Sequence, residues 1–497
     1  MMKMEYDLCI IGGGINGCGI ARDAAGRGLS VLLCEQYDLA NGTSSNSSKL
    51  IHGGLRYLEQ YQFSLVRESL KEREALIEIA PHLIREMRFV LPYEKHLRPQ
   101  WLLRSGLFIY DHLARRKQIK GSKRVNLRKT IYGTTLKQQF KTGFIYSDCW
   151  VDDARLVITN ALSAKSLGAD IKTRTRCIAA TEQQNHWYVT LQCADRQETV
   201  KAKVLINASG PWIEQTIKQV IGKPSRYSAK LVKGSHIVVP QLYQGDHAYI
   251  LQHTDNRIVF VIPFEENLTL IGTTEELFTA DPITAEISAE EIDYLCEITN
   301  HYFTDKITAE DVIWHYAGVR PLYDDGSGAD LSGSSRGYLL DYHDQPCPLL
   351  NIFGGKITTY RQLAEHVLAK LKAIFPTMTA SWTAKTPLAG GDLDGNTVEQ
   401  YGLMLKQRYH WLPDKLRHRY FLQYGSNITT LLDNCRQMSD LGRRFAADLY
   451  EQEVCYLINY EWAKTVDDIL WRRSKLGLRF DTRAKNELRL FLDNYQT

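Results

Sequence analysis

The chain has 497 residues, enough for two or three domains, and its 44% hydrophobic and 24% charged content is that of a folded globular protein. A formal net charge of +4 is too small to point to nucleic acid, so the basic groups matter only where they cluster. Ten cysteines, none in a Cys-x-x-Cys pair, exclude zinc-ribbon and cysteine-ligated iron–sulfur spacings. They imply a reducing compartment, no disulfide framework and no metal site.

The chain opens as strand, turn, helix, strand: a buried strand over 8–11, a turn over 12–17, a helix over 18–27 and a second strand over 30–34. No basic and apolar leader pattern precedes the first strand, so no secretory signal is expected. No apolar run reaches the ~18–20 residues of a membrane span, so the chain should be soluble or lie on a membrane without crossing it. The turn reads Gly12-Gly13-Gly14-Ile15-Asn16-Gly17 and satisfies Gly-x-Gly-x-x-Gly. Such glycines let backbone approach a pyrophosphate at a helix N-terminus, and Glu35, at the end of the second strand, stands where an acid accepts hydrogen bonds from a ribose.

A small-polar stretch with Ser44, Ser45, Ser48 and Lys49 follows, suited to a pyrophosphate or ribitol chain, and leads into His52, Arg56 and Tyr57. A charged helix is expected over 63–80, ended by Pro81. Residues 98–117 mix Trp101, Leu107, Phe108 and Ile109 with Arg98, Arg104, Arg115, Arg116 and Lys117. They are too short and too charged to span a bilayer, but could lie in its interface or pack on the core. A helix near 155–167 precedes strands that run to the small residues Ala208, Ser209 and Gly210. Further strands cover 231–239, 248–251, 258–263 and 268–272, and a helix over 288–303 has Ser288 as its N-cap. Lys233-Gly234-Ser235-His236 leads one of these strands, while Arg320 is expected in a tight turn stopped by Pro321. Arg336 lies in a loop. The stretch 351–359, with Gly354, Gly355, Lys356, Ile357 and Thr358, reads as strand, glycine turn and helix start. Such a helix N-terminus stabilises negative charge on a flavin's pyrimidine edge. Beyond residue 390, aromatic and charged residues at helical spacing imply a separate helical domain.

The fingerprint at the N-terminus, with returns near 204–210 and 351–359, favours FAD over NAD. The scattered cations together point to a small-anion site. The series GGGINGCGIARDAAGRGLSVLLCE, TSSNSSKLIHGGLRYLE, YSDCWVDDARL, LVKGSHIVVP, RIVFVIP, IGTTE, AGVRPL and FGGKITTYR closely resembles the bacterial FAD-dependent, respiratory glycerol-3-phosphate dehydrogenase family. The segment EWAKTVDDILWRRSKLGL is similar to that family's C-terminal domain.

The resemblance implies an α/β fold: a Rossmann-like FAD-binding domain of the D-amino-acid-oxidase type (1–90, 145–225 and 335–385). It also implies a mostly antiparallel β substrate and membrane-facing domain (91–144 and 226–334) and a helical C-terminal domain (390–497). It implies oxidation of sn-glycerol 3-phosphate to dihydroxyacetone phosphate, with electrons passing through FAD to a membrane quinone. The enzyme would be cytoplasmic and peripheral on the inner face of the cytoplasmic membrane, without nucleic acid; the oligomeric state, a homodimer included, stays open.

Carried over by motif, Gly12, Gly14, Asn16, Gly17, Glu35, Ser44, Ser45, Ser48, Lys49, Ser209, Gly210, Gly354, Gly355, Lys356, Ile357 and Thr358 would hold FAD. Arg56, Tyr57, Arg336 and Lys356 would bind substrate. His236, at an ordinary imidazole pKa of ~6.5, would be the base, with Arg320 stabilising the oxyanion and His52 in reserve. The competing readings are an amino-acid or oxygen-using oxidase of the same fold, and a nucleic-acid-binding flavoprotein. The latter would need a continuous basic groove, whereas these lysines and arginines are dispersed.

Overall fold

The computed structural model describes residues 5–94, 98–253, 257–324 and 337–496. The opening unit folds as its pattern predicts: β1 (Glu5–Ile11), α1 (Ile15–Gly26) and β2 (Val31–Cys34). β2 and residues 8–11 of β1 are apolar runs because both faces of the sheet are covered there. One sheet has, among the described residues, the strand order Tyr338–His343, Leu349–Gly354, Arg196–Asn207, β1, β2, Asp170–Lys172. The last five are mutually parallel. Register aligns Ile11 with Asn207 and Asn207 with Asn351, so the glycine turn and both later returns emerge at one carboxyl edge of the sheet. Ligands of open parallel sheets bind at that edge. Two asparagines are buried here, and they are satisfied in series: Asn207 donates to Asn351 at 3.1 Å, and Asn351 to Asp341 at 3.2 Å.

The second sheet is mostly antiparallel and carries the strands Ser228–Pro240, Leu268–Gly272, Ile258–Phe264 and Ala248–Gln252. It continues through Ile84–Pro92 and Thr142–Val151 to the short strand Leu50–Ile51. These last three come largely from segments that the sequence reading groups with the cofactor unit. The chain therefore crosses between the two sheets several times, and the space between them is lined from both. Trp314–Asp324 pairs along Ser228–Pro240 and flanks it at the sheet edge. Arg320 consequently lies within a strand, opposite Val232, and not in the turn that its neighbour Pro321 suggests. Proline is tolerated there because an edge strand has a side that needs no ladder donor.

The charged helix is α2 (Phe63–Ile79), followed by α3 (Gln100–His112) and α4 (Asp153–Ser166). Asp152 caps α4 by accepting from the Arg155 N–H at 3.1 Å. Ser288 caps Ala289–Tyr302 in a reciprocal capping box with Glu291. The tail folds as helices around a core of its own, including Tyr420, Tyr424, Leu457, Ile469 and Leu488. It docks on α4 through a buried pair: the Arg155 guanidinium donates to the Glu461 carboxylate at 2.9 Å and to the Gln423 carbonyl at 3.0 Å.

Candidate active site

A cavity of about 1220 Å³ lies at the carboxyl edge of the parallel sheet and continues beneath the second sheet. One end is the glycine turn. Gly12 has φ +112°, and a Cβ there would meet the Ala208 carbonyl oxygen at 2.5 Å. Gly17 does not face the cavity. It lets α1 close on the turn, since a Cβ would lie 2.0 Å from the Gly12 oxygen. Gly14 caps α1 with no side chain, leaving first-turn amides toward a cavity that Gly12, Gly14, Ile15 and Asn16 line. Ser44 accepts from the Ile15 N–H at 3.1 Å. Asn16 donates to the Gly354 carbonyl at 3.3 Å, while its buried Oδ1 has no partner. Glu35 accepts from the N–H groups of Gly13 (2.6 Å) and Tyr37 (2.8 Å), and burial pushes its carboxyl up against those two bonds.

The far wall brings the cations together. Arg56, Tyr57, His52, His236, Arg320 and Lys356 all line the same cavity, as do Ser48, Ser209, Gly210, Gly355, Ile357 and Thr358. The Lys356 ammonium sits 3.9 Å from the centre of the Tyr57 ring. The His52 N–H donates to Thr358 at 3.3 Å. Arg320 donates to Glu275 at 2.9 Å. Strand pairing sets His236 opposite Gly272, where a Cβ would lie 2.2 Å from the imidazole, so only glycine leaves it room. Its Nε2 is 2.8 Å from Ser48 Oγ, and its ring stacks on Tyr316 at 4.8 Å. Burial, with Lys49 and Arg320 nearby, pushes the imidazole pKa down to about 3, so the ordinary value assumed from sequence does not hold.

Two further expectations change. Lys49 does not line the cavity; its ammonium is buried 3.0 Å from both oxygens of Asp153, because a buried amine needs a counter-charge. Ser45 does not line it either, and its carbonyl accepts from Lys49 at 3.1 Å. Arg336 lies outside the described residues. The sequence by itself gives no role to Glu275, Gly272 or Asp153. Glu275 lies in IGTTE and Asp153 in YSDCWVDDARL, but a carboxylate's partner is not visible in either motif.

Glycines that bring backbone against the cavity, a helix N-terminus whose cap residue Gly14 has no side chain, the orphaned Asn16 oxygen and the acid at Glu35 fit a dinucleotide of FAD's size, and the cations beyond it fit a phosphorylated substrate. The fold and site define an FAD-dependent oxidoreductase. Residues 7–361 match the model of that family, FAD dependent oxidoreductase, and residues 381–490 that of the C-terminal domain of alpha-glycerophosphate oxidase. The chain is 50% identical to a glycerol-3-phosphate dehydrogenase of Pseudomonas aeruginosa, over 95% of this chain and 92% of that one. It is 47% identical to a D-erythritol 1-phosphate dehydrogenase of Brucella abortus, over 94% of each. Among solved structures, the glycerol-3-phosphate dehydrogenase of Bacillus halodurans complexed with FAD superposes with a TM-score of 0.76, at 26% identity over 99% of this chain and 95% of that one. The chain belongs to the FAD-dependent oxidoreductases and, within them, to the group that includes the bacterial glycerol-3-phosphate dehydrogenases. Its cofactor is FAD.

Proposed function

We propose that the protein oxidises sn-glycerol 3-phosphate at carbon 2 to dihydroxyacetone phosphate and delivers the electrons to a membrane quinone. The observation that carries this reading is the convergence of Arg56, Arg320 and Lys356 with two histidines on the cavity that the dinucleotide turn opens. FAD supplies the hydride acceptor when bound. Arg56 and Lys356 clamp the phosphate by charge and hydrogen bonding, which orients carbon 2. Arg320, held by Glu275, polarises the carbon-2 oxygen and stabilises the alkoxide. His236 is neutral at pH 7; its Nδ1 is buried, so the carbon-2 proton reaches Nε2 by way of the Ser48 hydroxyl, 2.8 Å away at the cavity wall. A pKa of about 3 makes it a weak base by itself. The arriving phosphate dianion raises that pKa and so favours protonation as the hydride leaves. His52, which lines the same cavity, is the alternative base.

A quinone acceptor requires a membrane. No helix among the described residues is long and apolar enough to cross one. α3 packs inward through Leu107 and Tyr110 but leaves Trp101 70% and Phe108 62% exposed, with Arg104 exposed on the same helix and Arg115 just beyond its end. That face suits an anionic membrane surface, here the inner face of the cytoplasmic membrane.

The test is anaerobic addition of sn-glycerol 3-phosphate to the purified flavoprotein, with erythritol phosphate and amino acids in parallel. Prompt bleaching of the flavin bands by glycerol 3-phosphate, reversed by a quinone analogue and not by amino acids, is the expected result. Bands that only a longer polyol phosphate bleaches would assign the site to that substrate instead.

A further inference from the structure

The tail motif that contains Arg472, Arg473, Ser474 and Lys475 has no part in the chemistry above, yet it reaches the site. The Lys475 ammonium lies 3.4 Å from Asp153 Oδ1 and 3.6 Å from Asp152 Oδ1. Asp153, fully buried at the start of α4, is gripped by Lys49 at 3.0 Å. The same carboxylate accepts from the Ser47 hydroxyl at 2.8 Å and from the Ser47 N–H at 3.2 Å. The next residue, Ser48, is 2.8 Å from His236 Nε2. Tyr316 closes the ring: its hydroxyl donates to the Ser47 carbonyl at 2.8 Å while its face stacks on the imidazole.

Polar contacts therefore run from the helical domain to Ser47, and the peptide bond to Ser48 carries the path on to the imidazole. Burial alone would raise the Asp153 carboxyl, but Lys49, Lys475 and the Ser47 hydroxyl outweigh it and hold it below the usual carboxylate range. Both lysines adopt φ +58°, a left-handed conformation disfavoured for any residue with a Cβ. The surrounding structure must over-determine such a conformation for it to persist. The domain is also anchored by Arg155 with Glu461 and by Arg473 with Asp38.

We propose that Lys475 is a positioning residue: through Asp153 it fixes Ser47 and Ser48 at the edge of the cavity, and with them the imidazole of His236. This rests on His236 handling the carbon-2 proton as proposed above. Lys475→Met, Ser48→Ala and His236→Gln are made singly, and Lys475→Met with His236→Gln, all as FAD-loaded enzyme. Flavin reduction by whichever polyol phosphate bleaches the parent is then followed anaerobically by stopped flow.

Lys475→Met and Ser48→Ala should each slow reduction at saturating substrate by about 10- to 100-fold, the scale of a ~1 Å misplacement, with KM changed less than about threefold. Lys475→Arg should restore most of the rate. In the His236→Gln background Lys475→Met should cost nothing further. A crystal structure of the Lys475→Met holoenzyme should show the Ser48 to His236 contact lengthened beyond about 3.5 Å. An equal loss with and without His236, or no loss at all, overturns the proposal while leaving the role of His236 standing. Full rate in His236→Gln overturns both. If Lys475→Met gives no folded holoenzyme, full rate in Ser48→Ala is the overturning result.

Discussion

Gly17→Ala puts the fit between α1 and the glycine turn to a quantitative test. The added Cβ would stand 2.0 Å from the Gly12 carbonyl oxygen, against an ordinary contact of 3.4 Å or more. The gap must therefore open by more than an ångström, and both atoms that collide belong to or follow rigid backbone. α1 moves outward, and the amides of Gly14 and Asn16 at its start, the Ile15 N–H being held by Ser44, move with it. Hydrogen bonds to a charged group contribute about 1.5–3 kcal/mol each. Losing one or two of them from the pyrophosphate weakens FAD binding by roughly 10- to 10⁴-fold, at 1.4 kcal/mol per factor of ten. The assay is titration of the apoprotein with FAD, followed by quenching of flavin fluorescence, with far-UV circular dichroism to show that the variant is folded. Gly402→Ala serves as the control, because a Cβ there, in the helix Val398–Arg408, meets nothing within 4 Å. A Kd for Gly17→Ala within about threefold of the parent would refute the reasoning, because it would mean that the turn yields without disturbing the amides.

Three more outcomes follow from burial and charge. His82 is buried with neither ring nitrogen hydrogen-bonded, and burial, with Arg155 nearby, pushes its pKa down to about 3. The folded value lies below the unfolded ~6.5, so stability is constant above that pH and falls as pH drops from about 6.5 towards 3, by about 1.4 kcal/mol per unit for each such group. His236 (about 3) and His247 (about 4) act in the same direction. His82→Leu should therefore reduce proton uptake on urea unfolding at pH 5 by about one; unchanged uptake would show that His82 is protonated in the fold. Arg155→Met leaves Glu461 buried without its cation and should destabilise by about 3–5 kcal/mol, seen as a lowered melting temperature that Arg155→Met with Glu461→Leu largely restores. Trp101→Gln with Phe108→Gln removes two exposed apolar side chains from α3, worth about 1.5–3 kcal/mol each if they insert. Flotation with anionic liposomes should drop by at least about 100-fold; equal flotation of parent and variant would show that α3 is not the contact.

Local chemistry made part of this legible in the sequence. Gly12 to Gly17 between an apolar strand and a helix, and Glu35 after the second strand, announce a dinucleotide turn, because each depends on neighbours within about thirty residues. The helix capped by Ser288 and the end of α2 before Pro81 are short-range as well. Resemblance across the motifs then carried the family, which the residues alone do not name.

The tertiary structure decided which charge meets which. Lys49 reads as a phosphate ligand among serines, but its partner, Asp153, is 104 positions away. Pro321 suggests a turn, but pairing with Ser228–Pro240 makes the segment an edge strand. The imidazole of His236 has an ordinary pKa in any sequence argument; only burial against Gly272 and Tyr316, with Lys49 and Arg320 nearby, pushes it down to about 3. Secondary structure and glycine turns follow from interactions along the chain, and the sequence by itself determined those. Desolvation and ion pairing depend on segments hundreds of residues apart being packed together, and those properties of the site came only with the fold.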